Sequence, residues 1–156
     1  DAKIISLRLK DKKIEVAFKS RLIRSKDTLS EVLKSHPECM SVVTDDRIIE
    51  RSYGDLQGKT HLQYIKKYSP KKYDSFHRGY NSKPPGGESI KDVERRVNSF
   101  LKDLIKFIKK NKVNVAVSAH GNSMRPFRRY FEKMSIKEMM KLENPCDNYF
   151  EYNVDC

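Results

Sequence analysis

The signature of a long amphipathic helix runs almost directly into that of a short buried strand. Ser89-Ile90-Lys91-Asp92 has the form of a capping box, and Ile90, Val93, Val97, Phe100, Leu101, Leu104 and Ile108 then recur on one helix face. Val113-Asn114-Val115-Ala116-Val117 follows, β-branched and short, the pattern of a strand covered on both faces. A helix that feeds such a strand packs back onto the sheet, so the chain is predicted to be a layered α/β domain. The rest agrees. The first ten residues read as the amphipathic tail of a helix and residues 14–18 as a strand; Leu22, Ile23, Leu29, Val32 and Leu33 keep helical spacing until His36-Pro37, and residues 40–43 form a second strand. Residues 124–132 and 135–142 are expected to be helical and 149–154 a closing strand. Residues 51–87, rich in Tyr, Lys, Gly and Pro, read as an excursion over the surface with one helical turn at 61–68.

With 156 residues, the chain is expected to be one domain, residues 1–156. No apolar run approaches the ~20 residues that span a bilayer, and no signal sequence opens the chain, so a cytoplasmic protein without a membrane partner is expected. Three widely spaced cysteines and no Asn-x-Ser/Thr sequon fit a reducing compartment. His36 and Cys39 have a metal-like separation but no second pair to complete a site, so no metal is expected. The 33 Lys and Arg against 21 Asp and Glu give a formal charge of +12, which favours anionic partners. Between Tyr64 and Tyr80, lysines alternate with aromatics, a composition suited to single-stranded nucleic acid and equally that of a solvated basic loop.

Several residues are candidates for chemistry. Gly54-Asp55-Leu56-Gln57-Gly58-Lys59-Thr60 is one residue short of a phosphate-cradling P-loop and follows no buried strand. His120 stands directly after a buried strand and before a helix, at the sheet edge where α/β ligand sites gather. Gly121 allows close backbone approach, and Arg125, Arg128 and Arg129 add positive charge to the helix start. A hydrogen-bonded strand-end histidine is the competing reading. Arg24, just past the other strand, can grip a phosphoryl group bidentately, or be an ordinary helix arginine. Glu50 follows Ile48-Ile49, where partial burial suits an acid or base, unless it is a surface carboxylate paired with Arg47 or Arg51.

Taken together, Ser20-Arg21-Leu22-Ile23-Arg24, Glu50-Arg51-Ser52-Tyr53-Gly54-Asp55-Leu56-Gln57-Gly58, Pro84-Pro85-Gly86-Gly87-Glu88-Ser89 and Ala119-His120-Gly121-Asn122-Ser123 resemble the histidine phosphatase superfamily, and within it the cofactor-dependent phosphoglycerate mutase branch. The resemblance implies a three-layer α/β/α sandwich with a mostly parallel sheet, and phosphoryl transfer through a phosphohistidine. The expected reaction interconverts 2- and 3-phosphoglycerate, with 2,3-bisphosphoglycerate as phosphoryl donor and no metal. Arg24 would bind the transferring group, Glu50 would exchange the substrate proton, and His120 would stabilise charge. Arg51, Tyr53, His77, Arg78, Gly121 and Asn122 would hold a small phosphorylated substrate. A homo-oligomer is compatible with this family. Two alternatives stand beside it: a phosphomonoesterase of the same superfamily, and a basic nucleic-acid-binding module.

The sequence departs from the family in three places. His77 stands where the mutases carry a second arginine beside the one matching Arg78, and His61 where they carry lysine, so substrate binding is expected to weaken as pH rises through the histidine range. The Arg-His-Gly motif that supplies the nucleophile is absent, and none of His36, His61, His77 or His120 matches it. The resemblance implies that this motif and the sheet's first strand lie upstream of Asp1, so that the 156 residues alone are expected to be inactive.

Overall fold

Three parallel strands, β1 (Val16–Lys19), β2 (Ser41–Thr44) and β3 (Val115–Ser118), lie in the order β2-β1-β3 in the computed structural model, which describes residues 1–156. Ala17, opposite Val42 on one side and Ala116 on the other, is fully buried at the centre of the sheet. α1 (Ala2–Leu9) packs on α2 (Ile23–Leu33), which lies against β1 and β3 through a face that includes Leu29 and Val32. The main core lies under α5 (Ile90–Asn111) and α6 (Gly121–Glu132), where Val93, Val97, Phe100, Leu101 and Leu104 meet Ile48, with Phe18, Val115, Val117 and Phe127 packed around them. Phe18 sets its ring edge-on to Phe100 at 5.4 Å, joining sheet to helix. The predicted layers are present, and the three strands are all parallel.

Local signals explain most boundaries. Ser89 Oγ accepts from Asp92 N while the Asp92 carboxylate accepts from Ser89 N, so the capping box forms as read. α6 begins three residues earlier than predicted, because His120 N donates to Ser123 Oγ at 3.0 Å and closes the first turn at Gly121. The excursion holds two helices where one turn was expected. α3 (His61–Lys67) is capped by Thr60 and Gln63, and α4 (Pro70–Arg78) by Ser69, with Pro70 in its first turn. α7 (Ile136–Met140) is shorter than expected.

The predicted strand at 149–154 does not form. A strand needs a neighbouring ladder, and this segment is held by side chains instead: Tyr152 stacks on Phe131 at 4.5 Å and donates to Glu132, and the Arg128 guanidinium lies over Phe150. No helix is long and apolar enough to cross a membrane.

Candidate active site

Parallel strands bring their carboxyl ends to one side, and His120 and Arg24 meet there. Arg24 Nε donates to His120 Nδ1 at 3.2 Å, and His120 Nε2 lies 2.7 Å from Ser20 Oγ. Arginine only donates, so Nδ1 carries a lone pair and the ring proton sits on Nε2. Burial pushes the His120 pKa below its ordinary value; Glu50 pulls it up, and Arg24 and Arg96 lower it further.

Glu50 reaches the same place from the loop after β2. Its Oε1 accepts from Arg51 N at 2.9 Å and from Asn122 N at 3.1 Å, the latter in the first turn of α6 where the helix dipole favours an anion. Oε2 accepts no hydrogen bond and lies 3.8 Å from the position a side-chain carbon would take at Gly121. Arg96 fixes the backbone beneath, donating to the Arg47 and Glu50 carbonyls while paired with Glu88. Burial opposes ionisation of Glu88, but Arg96 and the Ser52 N–H outweigh it and hold the carboxylate below its usual range.

A cavity of about 330 Å³ opens beside these groups, with Arg24, Glu50, Arg51, Tyr53, Lys59 and His77 among its walls. Arg51 is almost fully buried, and burial lowers its pKa. Nε donates to Glu88 O, and Nη2 to Phe76 O and Ser82 O, while Nη1 is buried without a partner. The guanidinium lies 4.8 Å from the Tyr53 ring, and Asn122 Nδ2 donates to Tyr53 Oη at 3.3 Å.

Of the residues singled out from sequence, Arg24, Glu50, Arg51, Tyr53, His77, His120, Gly121 and Asn122 gather around this cavity or its edge. Arg78 does not. Its side chain is exposed, pairs with Asp74 on α4 and lines a neighbouring cavity with His61, Ile65, Pro70, Tyr73 and His77. His77 stands between the two cavities, its ring edge-on to Tyr53 at 5.6 Å and to Tyr73 at 5.3 Å. Sequence reasoning missed Ser20 as a partner of His120, Arg96 as the support under Glu50, and Asn144, whose Nδ2 donates to Gly121 O. None of these carries a periodic or spacing signal; each matters through contacts between segments distant in sequence.

Arginines, a histidine and a carboxylate thus come together at the carboxyl edge of the parallel sheet of an α/β domain. Residues 1–155 match the family model of the histidine phosphatase superfamily, branch 1, and the chain belongs to that superfamily. A 2,3-bisphosphoglycerate-dependent phosphoglycerate mutase of Cytophaga hutchinsonii is 31% identical over 143 residues, covering 92% of this chain and 67% of the relative. One from Methanococcus vannielii is 31% identical over 181 aligned positions, covering 99% and 77%. A third, from Gloeobacter violaceus, is 35% identical over 131 and covers 82% and 59%. The chain thus spans 59 to 77% of the length of these three relatives. Among solved structures, a mycobacterial glucosyl-3-phosphoglycerate phosphatase superposes with a TM-score of 0.77 at 23% identity, over 91% of this chain and 68% of that one. Bacillus stearothermophilus YhfR superposes with a TM-score of 0.76 at 19% identity.

Proposed function

We propose that the protein transfers phosphoryl groups as a phosphoglycerate mutase, interconverting 2- and 3-phosphoglycerate with 2,3-bisphosphoglycerate as phosphoryl donor. The observation that carries this reading is one cavity with Arg24 and Glu50 in its walls and His120 bonded to Arg24 at its edge. Loose phosphoryl transfer asks chiefly for positive donors around the equatorial oxygens and a group that moves the substrate proton. Arg24 supplies one, and His120 supplies another once an anion draws Arg24 from Nδ1 and that nitrogen takes a proton. Glu50 supplies the proton carrier, with Oε1 fixed by two backbone N–H groups and Oε2 free to hold the proton of the substrate hydroxyl.

A bisphosphorylated acid fits these walls. Arg24, Arg51 and Lys59 are basic. When bound, that donor supplies the phosphoryl group; Arg24 and Lys59 would hold its phosphates and Arg51 its carboxylate.

The histidines of the chain do not provide the nucleophile. His36 is buried at the amino end of the sheet, bonded to Glu38, whose Oε1 also accepts from Ile14 N. His61 and His77 belong to α3 and α4, and His120 stands in Ala119-His120-Gly121, which does not match the Arg-His-Gly motif that supplies the nucleophile in the family. We infer that the nucleophilic histidine comes from outside these 156 residues and that they supply the acid-base and anion-binding half of the site. Intact mass before and after incubation with 2,3-bisphosphoglycerate tests this. The protein from its native source is expected to gain one acid-labile phosphoryl group, whereas the 156 residues alone gain none and turn nothing over. Turnover by a mass-verified 156-residue chain overturns it.

The position of Arg78 favours a second reading, a phosphomonoesterase. With Arg78 paired to Asp74 outside the cavity, the wall beside Tyr53 offers Arg51 and His77 without a second arginine, and grips a substrate carboxylate less firmly. Release of inorganic phosphate without isomerised phosphoglycerate identifies that activity.

A further inference from the structure

We propose that Ser20 is a positioning residue for His120, holding the ring so that Nδ1 is the nitrogen presented to the anion and Nε2 is not. Ser20 follows the last residue of β1 and is fully buried. Its hydroxyl oxygen lies 2.7 Å from His120 Nε2 and accepts from Leu22 N at 3.2 Å. Two further serines fix its backbone. Ser20 N donates to Ser25 Oγ, Ser25 Oγ donates to Ser118 O at 2.8 Å, and Ser118 Oγ donates back to Ser25 O at 3.0 Å. This ladder ties the carboxyl ends of β1 and β3 together through the start of α2, so the Ser20 hydroxyl is a rigid post rather than a mobile side chain.

The two partners of His120 differ in what they tolerate. Arg24 can donate to Nδ1 only while Nδ1 has a lone pair, so a proton on Nδ1 breaks that contact. Ser20 accepts from Nε2–H whether the ring is neutral or charged. The Arg24 contact is therefore exchangeable and the Ser20 contact is not. An anion that draws Arg24 away leaves Nδ1 free to take a proton from solvent and donate it as a hydrogen bond, while Ser20 keeps the ring in place. Glu50, Arg24 and Arg96 are the charged groups that act on the ring during this exchange.

A serine that merely closes a turn also accepts from the N–H two residues on, as Ser20 does from Leu22. That role requires neither complete burial nor a second partner across 100 residues. The identity of the anion rests on the phosphoryl-transfer reading above; the clamping of the ring does not.

Nitrogen NMR of the His120 imidazole in the full protein, with inorganic phosphate as the probe, tests the proposal. The wild type is expected to show the Nε2–H tautomer with a slowly exchanging Nε2 proton, and phosphate is expected to move the Nδ1 signal further than Nε2. If the free protein holds the Nδ1–H tautomer, the proposal fails without any variant. Ser20→Ala is expected to lose the protected proton, mix the tautomers and weaken phosphate binding on the order of tenfold, the value of one hydrogen bond in a buried site. Ser20→Thr, which keeps the hydroxyl, should restore both. Ser25→Ala, which cuts the ladder but keeps the Ser20 hydroxyl, should keep the Nε2–H tautomer while its proton exchanges faster than in the wild type. An unaltered His120 signature in Ser20→Ala makes Ser20 a turn residue only. If phosphate moves no His120 signal in the wild type while Ser20→Ala still alters the tautomer, the clamp stands and the phosphoryl-site reading falls.

Discussion

Two titrating residues at opposite ends of the sheet leave separable marks on stability. His120 has its pKa lowered, first by burial, so above about pH 6.5 it is neutral whether folded or unfolded and contributes nothing. Below that value the unfolded chain takes up a proton that the folded chain resists, and stability falls as pH falls. Glu38 is held at about 2, first by the Ile14 N–H and then by His36, so its contribution is present above the unfolded value near 4.5 and is lost between there and about 2. Urea denaturation is expected to show a pH 7.5 to 5.5 loss in the wild type that His120→Gln lacks, and a pH 4.5 to 2.5 loss that is smaller in Glu38→Gln, the remainder belonging to other carboxylates held low, such as Glu88 and Asp92. Exchange of these windows between the variants would contradict the assignment. Glu50→Gln isolates chemistry from fold. Glutamine keeps an oxygen for the Arg51 and Asn122 amides but cannot carry the proton, so stability should stay within about 1 kcal/mol while transfer by the native enzyme slows by about 10²–10⁴-fold. Equal losses in both would make Glu50 a structural residue. His120, Arg24 and Glu50 were legible from sequence through the motifs that carry the family resemblance, since position at the sheet edge alone left each with an ordinary structural reading. Ser20 was not, because a serine after a strand has a ready explanation as a turn residue.

Among the elements, the loop from Tyr53 to the start of α3 turns on two glycines that sequence alone treats alike. Both have positive φ, Gly54 at +54° and Gly58 at +78°. A side-chain carbon at Gly54 would lie 2.3 Å from Pro85 O and 2.4 Å from the backbone of Gly86 and Gly87, whereas one at Gly58 would meet nothing within 4 Å. Gly58→Ala is therefore expected to cost about 1 kcal/mol, the penalty of a left-handed residue, and Gly54→Ala several times that, since two loops must separate. Thermal denaturation of the pair measures the difference; equal costs would mean that the Gly54 loop yields freely. The helix at Ile90–Asn111 could be read because its cap and its apolar face agree. α4 escaped because Lys71, Lys72, Asp74 and Arg78 leave it a thin apolar face, although Ser69-Pro70 was a start signal available in the sequence. The strand expected at 149–154 failed for the opposite reason: its alternation is real, but whether a strand forms depends on a neighbour, which no local pattern encodes.

At the scale of the whole molecule, the charge of +12 serves either a small anion or a polyanion, and the two make opposite demands on the site. Nonspecific binding to nucleic acid sums over many surface cations, with affinity falling steeply as salt rises. The lysines that would serve it, such as Lys66, Lys67, Lys71 and Lys72, lie on or beside α3 and α4. Lys67 and Lys72 both lie near the Tyr68 ring, which an oligonucleotide would have to displace in order to stack. A phosphorylated metabolite instead depends on the few groups in one cavity. Arg24→Ala removes the charge nearest His120 and should weaken inorganic phosphate binding at least tenfold, the scale of a charge-assisted hydrogen bond, while leaving oligonucleotide binding within about twofold. Replacing Lys67 and Lys72 with alanine should do the reverse, flattening any salt-dependent oligonucleotide binding by about two phosphate contacts and sparing phosphate. Fluorescence titrations of both ligands at two salt concentrations separate the cases. If Arg24→Ala leaves phosphate binding intact while the lysine pair abolishes tight oligonucleotide binding, the surface of α3 and α4, and not the sheet edge, is where this charge acts.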